Sequence, residues 1–584
     1  MNTWRLRLAA PFIAVLALAA SAAGIVNQFT YDDRYIIERA PPMHTLHAWW
    51  RVFQSSYWPK SWGGDGYRPI TLLAFRIEWV LGGGNPAVFH ATNIGLYIVT
   101  SVLVFYLAKR MLPLWAAWVS AALFAVHPVH VEAVANVVGQ SELIVGALLL
   151  IAVSLYVRDR QSGPVRGRTA VVIAAAYALA CFSKEHGIVL PALLVAAELT
   201  VISDATPLAQ RVRNLAPFFA ALAIVAIAFL AQRSAVLADH GIGGFQPFTA
   251  FKSLRITPAD RILTATSVVP QWFRLLFWPA QLSSEYGPPE IEIAQGPSLT
   301  QLPGFLLLLG TIGIGLAFRR RQPVISFGIA LAAITLLPSS NFLIAAGIVL
   351  AERTLFLPSV GAMLVVGAVA VYCADLLRAR QPNGRWLLFA GIGVCASLVV
   401  AATLESVGRT RVWRNNETLF RQAVVDSPRG YRAHYMLGAW AFENKRQREG
   451  EAEYRKALAL FPYDPFLSYN LAEQYRIAGS CSIALPFYRW THELDPKLPL
   501  GHTMYAWCLM HEGQYAEGRA KAVEAMSFGG DARLLGRLIA IADSAIAAGA
   551  KEHDARSAAS NSSPSKVPES VQKAGGKAGR GSSD

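Results

Sequence analysis

Charge is what this sequence has least of. Only 16% of its 584 residues are Asp, Glu, Lys or Arg, against roughly 25% in soluble domains. A soluble fold of this size could not cover its surface with so few. Motifs are scarce as well. The chain has no Gly-rich phosphate loop, no Cys/His zinc spacing and no serine-nucleophile motif. A nucleotide-sugar or ATP site is therefore not indicated, and a phosphate-bearing donor would have to arrive through a membrane. Cysteine is rare too: Cys181, Cys373 and Cys395 fall in or beside apolar runs and read as small packing residues.

What the chain has instead is apolar length. Mean hydropathy is +0.36. Residues 1–404 are apolar runs broken by short polar loops, whereas 405–584 has the composition of an ordinary soluble segment. A membrane span takes about 20 mostly apolar residues. Eleven stretches qualify loosely: 8–26, 91–108, 114–131, 140–157, 169–183, 186–203, 214–231, 303–318, 323–338, 354–377 and 386–404.

The net charge of +15 suggests a nucleic-acid partner, but its placement argues against one. Arg and Lys cluster between spans, at Arg5/Arg7, Lys109/Arg110, Arg158/Arg160/Arg166/Arg168, Arg211/Arg213, Arg319/Arg320/Arg321 and Arg378/Arg380/Arg385. That is the pattern of cytoplasmic loops. With the N-terminus inside, eleven spans put residues 27–90, 232–302 and the C-terminal segment outside. The first span also has the look of a cleaved signal peptide, which would leave residue 30 onward outside all the same. Loop 27–90 carries Trp49, Trp50, Trp58, Trp62 and Trp79 and is expected to lie on the membrane as short helices. The stretch 262–282 is expected to be interfacial or re-entrant.

The soluble segment repeats. Pro428, Pro462 and Pro496 are each 34 apart, and Gly438, Ala472 and Ala506 follow each by ten. A small residue lets two helices approach, and proline ends the second. This is the tetratricopeptide-repeat signature. Three repeats are expected at 431–532, after a connecting half-repeat at 405–430, with a disordered Ser/Lys/Gly/Ala-rich tail at 551–584. Such arrays form a groove that binds peptides; a plain structural cap is the alternative. Cys481 and Cys508 fall on helix ends brought to one side of the array. A disulfide would form there in an oxidising compartment if the Cα atoms are close enough.

Candidate chemistry collects at outer span ends. Asp32 and Asp33 follow the first span, and adjacent side chains on an extended segment face opposite ways. One carboxylate could take a proton from an attacking hydroxyl; a helix N-cap is the competing reading. His127, His130 and Glu132 could ligate a divalent metal or bind sugar hydroxyls, or could make a structural turn. Lys184 and Arg353 could hold a phosphate, while Lys184–Glu185 and Glu352–Arg353 could equally be charge pairs at helix ends.

Taken together, these stretches resemble the transmembrane, tetratricopeptide-repeat O-mannosyltransferases and their bacterial relatives. The likeness rests on Phe29-Thr-Tyr-Asp-Asp-Arg34, Tyr67-Arg-Pro-Ile-Thr71, Phe89-His-Ala-Thr-Asn93, His127 through Gly139, Phe182-Ser-Lys-Glu-His-Gly187, Pro338-Ser-Ser-Asn341 and Glu352 through Ser359, in the family's order. It covers most of residues 25–532.

The resemblance implies an all-α fold: a polytopic membrane bundle of the GT-C glycosyltransferase type followed by a tetratricopeptide solenoid. It implies an inverting transfer of mannose or another hexose from a polyprenyl-phosphate donor to a hydroxyl of an exported protein. Asp32 or Asp33 is then the base, with Asp32 favoured as the leading acid. Arg34, Lys184 and Arg353 would stand near the donor phosphate, and His127, His130, Glu132, Glu185 and Glu352 would be sugar, acceptor or metal contacts. No cofactor is specified with certainty, and a divalent metal is left open. The expected setting is a bacterial inner membrane, with site and repeats on the periplasmic side, the repeats holding the acceptor. A lipid or polysaccharide glycosyltransferase of the same fold and a non-catalytic membrane scaffold are the competing readings.

Overall fold

A computed structural model of the chain describes residues 3–59, 66–238, 256–346, 348–380, 385–496 and 498–547. Trp62, part of the second outer loop and the tail at 551–584 lie outside the described residues. The all-α expectation holds: among the described residues there are helices, turns and no strand.

The chain is a multi-pass membrane protein. Among the described residues, seven helices are long and apolar enough to cross a bilayer: Leu8–Val26, Pro86–Ala108, Val137–Arg160, Ala209–Ala238, Leu299–Phe318, Glu352–Arg380 and Phe389–Val412. Leu114–Ala125 and Pro128–Ala135 form a pair bent by 47°, which makes eight if it is one span. Pro128 has no N–H to continue the first helix and sits at the first position of the next turn, where none is needed. Gly167–Ser183 and Pro323–Ser339 are shorter apolar helices. Residues 186–203 are divided between the 3₁₀ turn Glu185–Val189 and the helix Leu190–Thr200. The last span continues past residue 404 to Val412.

Lipid is written on the outer faces. Phe305, Leu306, Leu309, Ile312 and Leu316 are exposed on one helix, and Phe389, Ile392, Val394, Leu398 and Leu404 on another. A contiguous apolar surface of that kind is not tolerated in water. Inside the bundle, small residues set the spacing. A Cβ on Gly361 would lie 2.2 Å from the Gly328 carbonyl oxygen, and one on Gly328 would lie 2.6 Å from the Gly361 oxygen. Close backbone approach at small residues is how membrane helices pack. Gly361→Leu should part these helices and destabilise the bundle by at least about 1–3 kcal/mol. A lower melting temperature and yield in detergent would register it; an unchanged melting temperature would refute the packing argument.

The first outer loop is built, not slack. It contains a π turn at Arg34–Glu38, 3₁₀ turns at Pro41–His44 and Trp49–Gln54, and the helix Pro69–Gly82. Buried Arg76 donates to the carbonyls of Thr45 at 2.6 Å and His47 at 2.6 Å, and the His44 ring stacks on Trp79 at 3.7 Å. Trp49 and Trp50 remain exposed. The stretch expected to be interfacial lies on the helix Pro258–Phe277. It buries one face, Thr264, Ala265, Val268, Val269, Trp272, Leu275 and Leu276, and is not among the helices apolar enough to span.

Chain contacts divide the molecule into two compact units. The first carries the membrane helices and runs as far as Gln422; the second begins at Ala423 and also takes in Glu285–Gln295 from the second outer loop. The second unit is three helical hairpins. They are Tyr431–Glu443 with Gln447–Leu460, Pro465–Ile477 with Cys481–Leu494, and Pro499–His511 with Tyr515–Ser527, starting 34 residues apart; Ala532–Ala547 follows. A Cβ on Gly438 would lie 2.5 Å from the Tyr454 ring, so the small residue is needed where its helix crosses the next.

No pattern in the sequence foretells the visitor from the membrane region. Glu285 pairs with Arg432 at 3.2 Å, its carbonyl accepts from Ser427 Oγ at 2.7 Å, and Pro288 accepts from the Tyr431 N–H at 3.3 Å.

Cys481 and Cys508 are bridged, with Cα atoms 5.2 Å apart. Cys181 is buried as a packing residue should be, but Cys373 is exposed. In protein denatured without reductant, maleimide should therefore react with Cys181, Cys373 and Cys395, and with Cys481 and Cys508 only after reduction. Labelling of those two without reductant would exclude the bridge.

Candidate active site

The stretches that carry the family resemblance fold onto one another. Asn93 donates from Nδ2 to the carbonyls of Val134 at 3.2 Å and Asn136 at 3.2 Å, and Thr71 Oγ1 donates to Ser183 at 2.8 Å. These bonds tie the first outer loop and the first long helix after it to the turns at 127–139 and 183–187. The start of the loop is tied to the end of the last span: Gln28 N donates to Arg414 O at 2.9 Å, and Tyr31 N to Asn416 Oδ1 at 2.8 Å. Tyr31 is held at φ 52°, a left-handed conformation that a bulky side chain adopts only when its surroundings impose it. Asp32 is the next residue.

The two aspartates are not equivalent. Asp33 is fully buried and accepts three backbone N–H groups: Val138 at 2.9 Å, Thr30 at 3.1 Å and Val137 at 3.3 Å. Burial raises its carboxyl, and those three donors pull it back down. Both oxygens are spent on backbone, so Asp33 is a clasp between the loop and the span that opens at Val137. Asp32 is half-exposed and lies in the electrostatic field of Arg353 and Tyr57.

Near Asp32 is a set of buried and part-buried charges. Glu132 accepts from the Arg353 backbone N–H at 2.9 Å and from its guanidinium. Lys184 pairs with Glu142. Arg68 donates to Glu185 at 3.1 Å and lies 4.5 Å from the Tyr57 ring centroid, while the Tyr67 N–H donates to Glu185 at 3.2 Å. Lys184 interacts electrostatically with Glu142, Arg68 and Arg353, so the three cations share one field. Burial pushes the Lys184 ammonium down, Glu142 pulls it back, and it settles at about 8. Burial raises the Glu185 carboxyl, but Arg68 and the N–H donors outweigh it and hold it at about 2.

Lys184 and Arg353 are thus brought together, and both are anchored by carboxylates from distant segments. Arg34 pairs with Glu38 at 3.1 Å, at the half-exposed turn after Asp33. Glu352 is buried and accepts from the Ser283 N–H at 2.6 Å, which fastens the segment after the amphipathic helix. The two histidines have internal partners on both ring nitrogens. His127 meets Leu276 O at 3.0 Å and the Val129 N–H at 3.3 Å; His130 meets Ser359 Oγ at 2.7 Å and Tyr97 OH at 3.0 Å. With Glu132 on Arg353, these three make a hydrogen-bonded turn in this structure. Among the described residues, the groups close enough to share an ion are Cys481–His511–Glu512 and His492–His502–Glu524, and neither includes them.

Two members of the charged set were not foreseen as site residues, Arg68 and Glu142. Arg68 stands inside the quoted Tyr67-Arg-Pro-Ile-Thr71, and Glu142 opens the helix Gln140–Arg160. An ionisable residue at each outer span end was the signal for both.

Comparison with known proteins agrees with the resemblance. The chain is 24% identical to human protein O-mannosyl-transferase TMTC1, over 78% of this chain and 55% of that one. It is 25% identical to human TMTC3, over 80% and 53%, and 28% identical to human TMTC4, over 73% and 62%. These relatives are protein O-mannosyl-transferases. The chain spans about half the length of the curated relatives it matches. No protein-family model matches. Among solved structures, it is similar to an archaeal oligosaccharyltransferase, AglB from Archaeoglobus fulgidus, in complex with an inhibitory peptide and a dolichol-phosphate. The TM-score is 0.40 and the identity 13%, over 70% of this chain and 56% of that one, too distant a likeness to carry an argument.

Proposed function

We propose that this chain, like the O-mannosyl-transferases it resembles, is a membrane glycosyltransferase. It moves a hexose, mannose first among candidates, from a polyprenyl-phosphate donor to a Ser or Thr hydroxyl of an exported protein. The observation that carries the reading is the half-exposed Asp32 carboxylate set against the buried ammonium of Lys184 and the part-buried guanidinium groups of Arg353 and Arg68. Asp32 removes the acceptor's hydroxyl proton as its oxygen attacks the anomeric carbon. The bond from that carbon to the phosphate oxygen breaks, and the lipid phosphate leaves with the electron pair. Attack opposite the phosphate inverts the centre, through an oxocarbenium-like transition state. Arg353 and Lys184 stabilise the departing anion in a water-poor setting. The same reading places the chain in a bacterial inner membrane with its site and repeats on the periplasmic side, where the bridge Cys481–Cys508 is at home. Transfer of labelled hexose from a synthetic polyprenyl-phosphate donor to an acceptor peptide tests it. Transfer to lipid or glycan alone would favour the competing acceptor class, and no transfer to anything the scaffold.

The donor site should be pH-dependent. Lys184 is charged below about 8 and loses its charge as pH rises through that value. If only the ammonium holds phosphate, the donor KM should rise roughly tenfold by pH 9, and Lys184→Arg should abolish the rise. A KM flat to pH 9.5 would remove Lys184 from the phosphate site.

A further inference from the structure

The second unit carries a cluster that the transfer reaction does not use. His492 ends the second hairpin, His502 opens the third, and Glu524 lies on the third hairpin's second helix. One ligand atom from each lies within 4.8 Å of the other two. The His492 and His502 rings meet edge to face at 4.6 Å. His502 is 1% exposed. Its Nε2 lies 2.5 Å from the Pro496 carbonyl oxygen, so Nε2 carries the hydrogen and Nδ1 presents a lone pair. That lone pair points toward Glu524 Oε2 at 3.8 Å and has no hydrogen-bond partner, nor has Nδ1 of His492. Two acceptors that face each other in a partly buried site repel unless something positive stands between them.

The protein supplies its own control. Two 34-residue periods earlier, the positions of His492, His502, Lys521 and Glu524 are held by Val424, His434, Glu453 and Lys456. His434 makes the same Nε2 contact, to the Pro428 carbonyl at 3.0 Å. Its Nδ1 closes directly on Glu453 at 2.6 Å. Where the second repeat meets the third, the acid and the lysine have exchanged places, the carboxylate stands off, and a second histidine has replaced an apolar residue. One period after the first set, the positions are Leu458, Ser468, Phe487 and Trp490, so ionisable groups are not a general need of the repeat.

We propose that His492, His502 and Glu524 form a binding site for a divalent transition-metal ion of the Zn²⁺ class. It would clip the second repeat to the third, which the Cys481–Cys508 bridge also joins. Two imidazoles and one carboxylate are a ligand set that such ions favour, and the bond from His502 to a backbone carbonyl is the outer contact that orients a metal-bound histidine. Ligands about 2.0–2.1 Å from a tetrahedral ion lie about 3.3 Å apart, so small side-chain rotations close the set. Lys521 occupies the bridging place. Its ammonium lies 2.9 Å from His492 Nε2 and 2.9 Å from Glu524 Oε2. The metal replaces that ammonium, which swings toward solvent, and gains His502 as well. Burial and the neighbouring Lys521 hold the His492 imidazolium down, which keeps the ring neutral and able to ligate.

The test is Zn²⁺ titration of the full-length, tag-free protein in detergent without reductant, followed by calorimetry and by the melting temperature. One equivalent should bind and raise the melting transition by several degrees. Glu524→Gln, which keeps the side chain's shape, and His492→Asn should each weaken binding by more than about 100-fold. Lys521→Gln leaves all three ligands in place and should tighten it. His434→Ala and His511→Ala should bind like the wild type. Absence of saturable Zn²⁺ binding by the wild type, or equal binding by Glu524→Gln, His492→Asn and the wild type, would overturn the assignment and leave Lys521 as the cluster's own cation.

Discussion

Asp32→Asn is expected to reduce hexose transfer by about 10²–10⁴-fold while leaving the protein's melting temperature and membrane level unchanged. Asp32 is half-exposed and fastened by its neighbours: Tyr31 is bonded to Asn416 on one side and Asp33 to Val137 and Val138 on the other. The amide therefore fits the same backbone and loses only the ability to accept a proton. Asp33→Asn should behave differently. An amide offers one acceptor oxygen to three backbone donors and turns its NH₂ toward others. Leaving buried donors unpaired costs about 1–3 kcal/mol. Its activity should fall together with its melting temperature. The contrast between neighbouring residues is the informative result. Wild-type activity in Asp32→Asn would refute the base assignment, and a loss of fold in that variant would make Asp32 a second clasp.

The other large effect is expected at Arg353. Its guanidinium and N–H hold Glu132, which is 2% exposed. Arg353→Ala alone leaves that carboxylate buried and unpaired, a change that typically destabilises by 3–5 kcal/mol. Low activity in this variant would therefore say nothing about donor binding. The double change Arg353→Met with Glu132→Gln removes both charges and keeps the volume, and its melting temperature should return to within a few degrees of the wild type. Donor KM should stay raised or turnover reduced, because the phosphate has lost a cation. A double variant with both normal stability and normal donor kinetics would reduce Arg353 to a structural partner of Glu132.

Some of this was decided by the sequence alone. An apolar run of 20 residues has few places to go but a bilayer, and a 34-residue period of small residues and prolines stacks helical hairpins wherever it occurs. Both patterns are local, which is why the presence of apolar helices and the 34-residue hairpin period were legible, whereas the number and ends of the spans were not: eleven were expected, and seven helices, or eight with the bent pair, are long and apolar enough among the described residues. The acidic pair after the first span was legible as well, because charge is costly there and rarely idle.

What sequence could not do was separate Asp32 from Asp33. The two are the same residue type at adjacent positions, and they part only because N–H groups 104 and 105 residues further along the chain converge on one of them. The same holds for Arg68 with Glu185, Arg353 with Glu132, and the loop segment Glu285–Gln295 that joins the repeats. For His127 and His130, spacing suggested metal ligands, but hydrogen bonds to Leu276 and Ser359 occupy their ring nitrogens. Each of these outcomes depends on a partner more than a hundred residues away, and tertiary packing decides which polar group meets it.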